Sequence, residues 1–203
     1  MHPNTAFRTD DESVLIARWA AHPLATLCAA LDGRMVVAHA PVLARHVDGR
    51  LVLDFHLSRS NALASAVVGG FRAVAVSLQA EAYISPDWYE DADQVPTWNY
   101  ISVETEGPVA ALDDAGLVAL LDDLSAQEEA RLLPKKPWTR HKMSPGRFDA
   151  MTPAIIGARM SVERLEGITK LSQNKSDADV AGVIAALGDH PIGRLMAPNL
   201  RRP

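Results

Sequence analysis

Two Asp-Gly pairs constrain the fold of this 203-residue chain more than any other feature of its sequence. The pairs, Asp32-Gly33 and Asp48-Gly49, lie between runs that are rich in Val, Leu and Ala. Asp and Gly tolerate the positive φ angles that the central residues of a two-residue hairpin turn require. We therefore predict three consecutive antiparallel strands, in residues 24–31, 34–43 and 50–57. Hairpins at this spacing are typical of a β-barrel or a β-sandwich.

Three more strands are predicted where larger apolar side chains alternate with smaller or polar ones. They occupy residues 71–83, 99–111 and 154–167. Within the second of these, Gly107-Pro108 is expected to form a bulge or to lie at a sheet edge, because proline cannot donate a hydrogen bond to a neighbouring strand. The chain is thus predicted to be mainly β.

Helices are predicted at the periphery of the sheet. Thr9 and Glu12 have the spacing of a capping box, which indicates a helix that ends near His22. Caps and apolar patterns predict three further helices, in residues 62–68, 113–131 and 177–187. We interpret residues 1–203 as one domain, an antiparallel barrel to which the two later helices are appendages.

The composition limits the class of protein. No apolar run approaches the roughly 18 residues that a membrane-spanning helix needs. The single Cys28 cannot form an internal disulfide bond. The first five residues, Met-His-Pro-Asn-Thr, lack the basic and then apolar layout of a secretory signal peptide. We therefore expect a cytoplasmic protein that does not insert into a membrane.

The formal net charge of -5 opposes non-specific attraction to nucleic acid phosphates. Direct DNA binding would need a local basic patch. The candidates are Lys135, Lys136, Arg140, His141, Lys142 and Arg147, together with the tail Arg201-Arg202. Neither group lies on a recognisable helix-turn-helix pattern, so both are interpreted as solvated loop residues, and whether the protein contacts DNA directly or only indirectly is left open.

Large aromatic side chains are concentrated in one segment, residues 83–100, which holds five of the seven Trp and Tyr residues. Pro86 and Pro96 exclude a helix interior there, because proline lacks an amide donor and disfavours helix at the preceding residue. We predict an ordered loop. Trp and Tyr suit the edge of a core, a subunit interface or the wall of a planar ligand's pocket, and the residue types leave these three open.

Three blocks of the sequence resemble the signature blocks of the PaiB-type FMN-binding transcriptional regulator family. They are Tyr83-Ile84-Ser85-Pro86 with Trp88-Tyr89, Val95-Pro96-Thr97-Trp98-Asn99-Tyr100, and Lys170-Leu171-Ser172-Gln173-Asn174-Lys175. The resemblance extends over about residues 7–196. It implies an antiparallel split β-barrel of the FMN-binding type, a homodimer with FMN between its protomers, and a role as a negative transcriptional regulator.

The residues after the third predicted strand could bind a flavin phosphate. Arg59 offers a planar fork of donors, and Ser58, Ser60 and Asn61 offer shorter ones ahead of a predicted helix N-terminus. The same four residues could equally form a helix cap beside one solvated arginine. Arg72 is a weaker second cation.

The family resemblance implies further contacts to the cofactor. His39, Pro41 and His56 match positions that would line the ribityl chain and the ring slot. Trp98, Lys170 and Ser172 would contact the cofactor or the other subunit; alternatively, the run that follows Lys170 is a satisfied turn that leads into a capped helix.

Two other classes of function stay open. The protein could be a flavin-dependent oxidoreductase of the pyridoxamine-phosphate-oxidase kind, or a haem-binding split barrel that uses a strand histidine. A metal site formed by His39, His46 and His56 is not expected, because strand alternation places no third ligand beside the other two. No catalytic residue is predicted, since the sequence has no nucleophile elbow, dinucleotide fingerprint or P-loop.

Overall fold

The protein is described by a computed structural model that covers residues 4–200, except for the side chain of Asn199. Its strands are β1 (Arg8–Thr9), β2 (Leu24–Leu31), β3 (Arg34–Val47), β4 (Arg50–Ser58), β5 (Phe71–Ile84), β6 (Thr97–Ala111), β7 (Ile155–Ser161) and β8 (Arg164–Lys170). Its α-helices are α1 (Glu12–Ala21), α2 (Asp114–Ala130), α3 (Arg147–Met151), α4 (Asp177–Leu187) and α5 (Pro191–Met196). No helix among residues 4–200 is both long enough and apolar enough to cross a membrane.

The strands form one sheet in the order β1-β8-β6-β5-β2-β3-β4-β7, and β6 also pairs with β7. That additional pairing joins β6, β5, β2, β3, β4 and β7 into a closed ring. The pairings with a defined register are antiparallel. The fold is therefore an antiparallel split β-barrel with peripheral helices, which confirms the barrel that the family resemblance implied.

Both Asp-Gly pairs form the predicted hairpin turns. Asp32 and Gly33 have φ angles of 49° and 75°, and Asp48 and Gly49 have φ angles of 52° and 75°. The first turn joins β2 to β3 and the second joins β3 to β4, with the paired strands meeting directly at each turn. Only residues that tolerate positive φ can close these turns without strain.

The chain separates into two compact units. The larger unit consists of Ile16–Ser77 and Glu104–Leu165, and the smaller unit consists of Met1–Leu15, Leu78–Val103 and Glu166–Pro203. Strands β5 and β6 contribute residues to both. The interpretation of residues 1–203 as one domain stays a prediction.

A buried ionic cluster connects four elements of the larger unit. Asp54 on β4 is fully buried, and its carboxylate accepts two hydrogen bonds from Arg45 on β3 and two from Arg159 on β7, at 2.6–2.9 Å. A further nitrogen of Arg45 donates to Asp123 on α2 at 2.8 Å. Because each oxygen of Asp54 is satisfied by a guanidinium group, the buried charge is compensated, and removal of either arginine would leave it without a full set of partners.

The core of the smaller unit is an apolar cluster between the ends of β5 and β6 and the C-terminal helices. Its buried members include Ile84, Ile101, Val183, Ile192 and Met196. Helix α4 approaches the loop after β5 so closely that a Cβ on Gly182 would lie 2.3 Å from the carbonyl oxygen of Trp88. Glycine at this position therefore permits the helix to pack directly on backbone.

Two helix predictions were wrong in detail. Helix α1 is capped by Asp11, whose Oδ1 accepts from the amides of Ser13 and Val14, and not by Thr9. Thr9 instead belongs to β1, where its hydroxyl lies 2.6 Å from that of Thr169. In residues 62–68 only a single 3-10 turn forms, at Ala64–Ala66.

Two strand predictions were also wrong in detail. Residues 154–167 form two strands, because the amides of Val162 and Glu163 bond to Leu51 and Glu106 and divert the chain between β7 and β8. Gly107 lies inside β6 and is buried, so the edge alternative is wrong and the bulge alternative stays a prediction.

Gly107 controls the contact between β6 and β7. A Cβ at this position would lie 1.8 Å from the carbonyl oxygen of Ser161, which is far closer than any real contact. We expect Gly107→Ala to lower the free energy of unfolding by about 3 kcal/mol, because one of the two backbones must move. Denaturant unfolding measures this loss.

The matched control is Gly69→Ala. An added Cβ there would meet its nearest neighbour, the carbonyl oxygen of Ala66, at an ordinary 3.9 Å. The change should stay within about 0.5 kcal/mol. Equal effects of the two substitutions would show that the β6 contact is not tight.

Candidate functional site

The turn after β4 contains the predicted phosphate-binding residues, and most of its polar groups already bond to one another. The hydroxyls of Ser58 and Ser60 are 2.8 Å apart, and Asn61 Oδ1 accepts from the amide of Leu63 at 2.9 Å. Ser58 and Ser60 are exposed, so their hydroxyls can still rotate to a ligand. The helix N-terminus expected beside them is only one 3-10 turn and adds no anion site of its own.

Arg59 is the cation of this turn that is free to bind a ligand. Its backbone amide donates to the carbonyl of Ala154 at 2.9 Å, and its Nε donates to the carbonyl of Pro153 at 3.0 Å. Among residues 4–200, no group accepts a hydrogen bond from its two terminal nitrogens. The Nε of Arg59 thus fixes the position of the guanidinium group, while its two terminal nitrogens keep donors for a ligand.

A cavity of about 410 Å³ lies beside Arg59. Its walls come from α2, α3 and β7, and they include Leu117, Phe148 and Ile156. Asp114 and Asp149 also line it, and their carboxylates would repel a phosphate placed inside. An unpaired arginine beside hydroxyl groups fits a flavin phosphate on the turn itself, outside the acidic cavity.

Arg72, the second predicted cation, is already neutralised. Its terminal nitrogens donate to Glu163 at 2.8 Å and to Glu106 at 3.3 Å. The hydrogen bond to Glu163, followed by the one to Glu106, raises the pKa of Arg72. Because it has two carboxylate partners, Arg72 is not available to a phosphate.

His39 and Pro41 lie on the outward face of β3. His39 is exposed, and its Nδ1 is 3.2 Å from the hydroxyl of Thr26 on β2. The same face carries Met35 and Val37, which are 70% and 57% exposed. An apolar sheet face with a histidine at its end can contact a partner or a planar ligand.

His56 lies on β4 opposite Gly157 of β7 and is half-buried. Its Nδ1 is buried and has no hydrogen-bond partner among the described residues. Burial lowers the pKa of His56, so the ring is neutral at pH 7. Among the described residues, no three His, Cys, Asp or Glu side chains are grouped as potential ligands of one metal ion.

Trp98, Lys170 and Ser172 belong to the smaller unit. Trp98 on β6 is 51% exposed and packs edge-to-face on Tyr83, with ring centroids 6.0 Å apart. Lys170 and Ser172 line a second cavity, of about 260 Å³, which shares no lining residue with the cavity beside Arg59. Lys170 Nζ donates to the hydroxyl of Thr97 at 2.6 Å.

Sequence reasoning included Ser172 but missed two other buried polar groups of this second cavity, those of Asn99 and Tyr89. Asn99 is fully buried and its Nδ2 donates to Ser172 Oγ at 2.8 Å. The Tyr89 hydroxyl is also buried. Strand alternation was the available signal, because an exposed Trp98 places Asn99 on the inner face, where an amide needs partners.

Asp179 on α4 forms hydrogen bonds with the loop between β5 and β6. Its Oδ1 accepts from the amides of Glu90 and Asp91 at 2.9 and 3.2 Å, and its Oδ2 accepts from the hydroxyl of Ser176 at 2.8 Å. Ser176 caps the helix in turn by accepting from the Asp179 amide. The hydrogen bond from Ser176, followed by that from Asp91, lowers the pKa of Asp179.

Comparisons with known proteins agree with this fold. A family model described as "Putative FMN-binding domain" matches residues 1–164. A Bacillus subtilis protein, "Protease synthase and sporulation protein PAI 2", is 26% identical over 176 residues, which are 82% of this chain and 80% of that protein.

Two solved structures also resemble the chain. The FAD and haem binding protein of Mycobacterium smegmatis has a TM-score of 0.60 at 17% identity, over 86% of this chain and 78% of that one. The flavocytochrome Anf3 of Azotobacter vinelandii has a TM-score of 0.53 at 18% identity, over 84% of this chain and 72% of that one. At these identities the likeness concerns the fold alone.

The Asp179 contacts make the stability of the loop depend on pH. Because the folded pKa is lowered, the stabilisation is complete above the ordinary carboxyl pKa of roughly 4 and is lost as the pH falls through the folded value. Asp179→Asn should lower the thermal midpoint by about 2–4 °C at pH 7, and this difference should shrink below about pH 4. Asp177→Asn, which removes an exposed carboxylate from the same helix turn, is the control. A pH-independent difference between wild type and Asp179→Asn would contradict the assignment.

Proposed function

The chain belongs to the FMN-binding domain family, and on that basis we propose that it binds FMN. The phosphate contacts Arg59, with Ser58, Ser60 and Asn61 beside it. The observation that supports this most strongly is the state of Arg59, which is fixed through Nε to Pro153 while its terminal nitrogens have no partner among the described residues. When bound, FMN would supply reversible electron transfer.

His39, Pro41 and His56 are the proposed contacts to the ribityl chain and the ring. A neutral His56 with a buried, unpartnered Nδ1 can donate or accept a hydrogen bond without adding charge. His39 can orient a ligand through the ring edge that Thr26 leaves free. Trp98 offers an exposed indole that can pack against a flavin or a second subunit.

We also propose that the protein is a homodimer. The outward face of β2 and β3 exposes Leu24, Met35 and Val37, each more than half accessible. Apolar side chains gathered on one sheet face are stabilised when a second surface covers them. A second copy of the chain fits this role, and it would enclose the side of β3 that carries His39 and Pro41.

A transcriptional role would, we infer, involve little direct contact with DNA. Within the predicted basic segment, Lys135 is paired with Glu129 and Arg140 with Asp122. The tail Arg201-Arg202 lies outside the described residues. These ion pairs and the net charge of -5 leave few free cations for a phosphate backbone.

FMN binding is tested by Arg59→Ala. Loss of charge-assisted hydrogen bonds to the phosphate should weaken FMN binding by at least about tenfold, as measured by quenching of flavin fluorescence on titration. Arg50→Ala is the matched control, because this exposed arginine lies at the other end of β4. Unchanged FMN affinity in Arg59→Ala would refute the phosphate assignment. A Soret band after haem addition, without flavin uptake, would support the haem alternative instead.

DNA contact is tested by the salt dependence of binding. We expect the full-length protein to show no retention of duplex DNA at physiological salt, because phosphate contacts require unpaired cations. Fluorescence anisotropy of a labelled duplex measures this at several salt concentrations. Tight binding that weakens steeply as salt rises would contradict the inference.

A further inference from the structure

The second cavity, in the smaller unit, has the properties of a small-molecule site. Its volume is about 260 Å³, and Tyr89, Thr97, Asn99, Lys170, Ser172 and Lys175 are among the residues that line it. None of its described lining residues carries a carboxylate. A drug-sized ligand occupies a pocket of roughly 300–1,000 Å³, so this cavity suits a molecule smaller than a flavin nucleotide.

Two lysines bring positive charge to this cavity without a counter-ion. Lys170 Nζ donates to Thr97 and lies 5.8 Å from the centroid of the Phe7 ring. Lys175 Nζ hydrogen-bonds to Gln94 and lies 5.2 Å from the centroid of the Tyr89 ring. Neither lysine forms an ion pair with a carboxylate among residues 4–200. Each ammonium group has three donors, so donors remain on both.

The positive charges of these two lysines repel each other. Burial, and then the charge of Lys175, lowers the pKa of Lys170. The carboxylate of Asp179, which influences the pKa of Tyr89 in the cavity, hydrogen-bonds to the loop amides and Ser176 and not to the lysines. An anion placed between the two ammonium groups would remove their repulsion and use their free donors.

Two buried polar atoms of the cavity, Asn99 Oδ1 and the Tyr89 hydroxyl oxygen, have no hydrogen-bond partner among the described residues. Asn99 is fully buried, and while its Nδ2 donates to Ser172 and Met196, its Oδ1 has no hydrogen bond among the described residues. The buried Tyr89 hydroxyl likewise lacks a hydrogen bond of acceptable geometry, although Ser172 is close enough to influence its pKa. Buried polar atoms in folded proteins usually have a hydrogen-bond partner, so two unpartnered atoms lining one cavity are suited to bond with polar groups of a ligand.

The backbone of the cavity is also unusual at one point. Ser172 adopts a φ of 57° although it is not glycine, and it is only 3% exposed. This conformation places its hydroxyl against Asn99 at the cavity wall. Strained backbone of this kind persists where the surrounding structure fixes it, often at ligand sites.

We propose that this cavity binds a small anionic metabolite. A phosphate or carboxylate group of the ligand lies between Lys170 and Lys175, and a hydroxyl or N–H group of the same molecule donates to Asn99 Oδ1. The Tyr89 hydroxyl donates to the anion or to a neighbouring ligand oxygen. This site is separate from the flavin phosphate site, and it does not depend on FMN binding.

The ligand would also order the aromatic segment. Tyr89, Val95, Thr97 and Asn99 all lie in residues 83–100 and all line the cavity. A molecule that bonds to them and to Lys170 and Lys175 connects that segment to the end of β8 and the turn that follows it. The fluorescence of Trp88 and Trp98, in the same segment, should therefore change on binding.

Calorimetric titration of the full-length protein with two probes tests the site. Glycerol 3-phosphate and malate each carry an anionic group and a hydroxyl donor, and they distinguish a phosphate site from a carboxylate site. We expect at least one to bind at millimolar concentration or below, and glycerol, which is uncharged, not to bind. Absence of binding by both anions would overturn the proposal.

Four variants locate the binding. Lys170→Met and Lys175→Met should each weaken anion binding at least about tenfold, because each removes one of the two charges, while Lys136→Met, an exposed lysine elsewhere, should not. Equal binding by wild type and both cavity variants would overturn the proposal. Arg59→Ala should bind the anions as wild type does; loss of anion binding in that variant would place the anion on the flavin phosphate turn and would also overturn it.

Measuring FMN affinity distinguishes failure of the anion-site proposal from failure of the FMN-binding proposal. Lys175→Met should retain the FMN affinity of the wild type, since the cavity is distinct from the Arg59 turn. Loss of both FMN and anion binding in Lys175→Met, with an unchanged thermal midpoint, would show one shared site and contradict this inference. If the protein binds the anions but does not bind FMN, the anion-site proposal is supported and the FMN-binding proposal is refuted.

Discussion

Closure of the strand ring depends on the approach of β6 to β7, and that approach is possible because residue 107 has no side chain. A Cβ there would lie 1.8 Å from Ser161 O. Once β7 is held between β4 and β6, the carbonyls of Pro153 and Ala154, just before β7, reach the side chain and amide of Arg59. The geometry of the proposed phosphate turn is thus a consequence of how the barrel closes.

The two units differ in whether their buried or clustered charges have counter-ions. In the larger unit, Asp54 has two arginine partners and Arg72 has two glutamates, so these charges are satisfied within the protein. In the smaller unit, Lys170 and Lys175 share a cavity without a carboxylate. The first arrangement satisfies its charges within the protein, whereas the second has the features of the proposed anion site.

Local sequence patterns predicted the local structure well. The Asp-Gly pairs determine their hairpins, because the requirement for positive φ is a property of the two residues themselves. The predicted helix in residues 177–187 also forms, because its cap is local: the Ser176 side chain accepts from the Asp179 amide. At the N-terminus, however, Thr9 and Asp11 are both good capping residues, and pairing of Thr9 with β8 decides between them. The break between β7 and β8 has no local signal, since it reflects a change of hydrogen-bonding partners.

The proposed site residues show the same difference between local patterns, which could be predicted, and long-range contacts, which could not. The family resemblance directed attention to Arg59 and Lys170, but neither residue's partners could be predicted. The acceptor that orients Arg59 lies 94 positions away in the sequence, and burial of Asn99 depends on Ser172 and Met196, which are also distant. Contacts of this kind follow from the assembled fold and not from the pattern of a single segment.

The most direct test of the central claim is a comparison of FMN with riboflavin, which has the same ring and ribityl chain but no phosphate. Binding of both is followed by flavin fluorescence on titration with the full-length protein. If Arg59 and its turn hold the phosphate, FMN should bind at least about tenfold more tightly than riboflavin. Equal affinities for the two flavins would contradict the account.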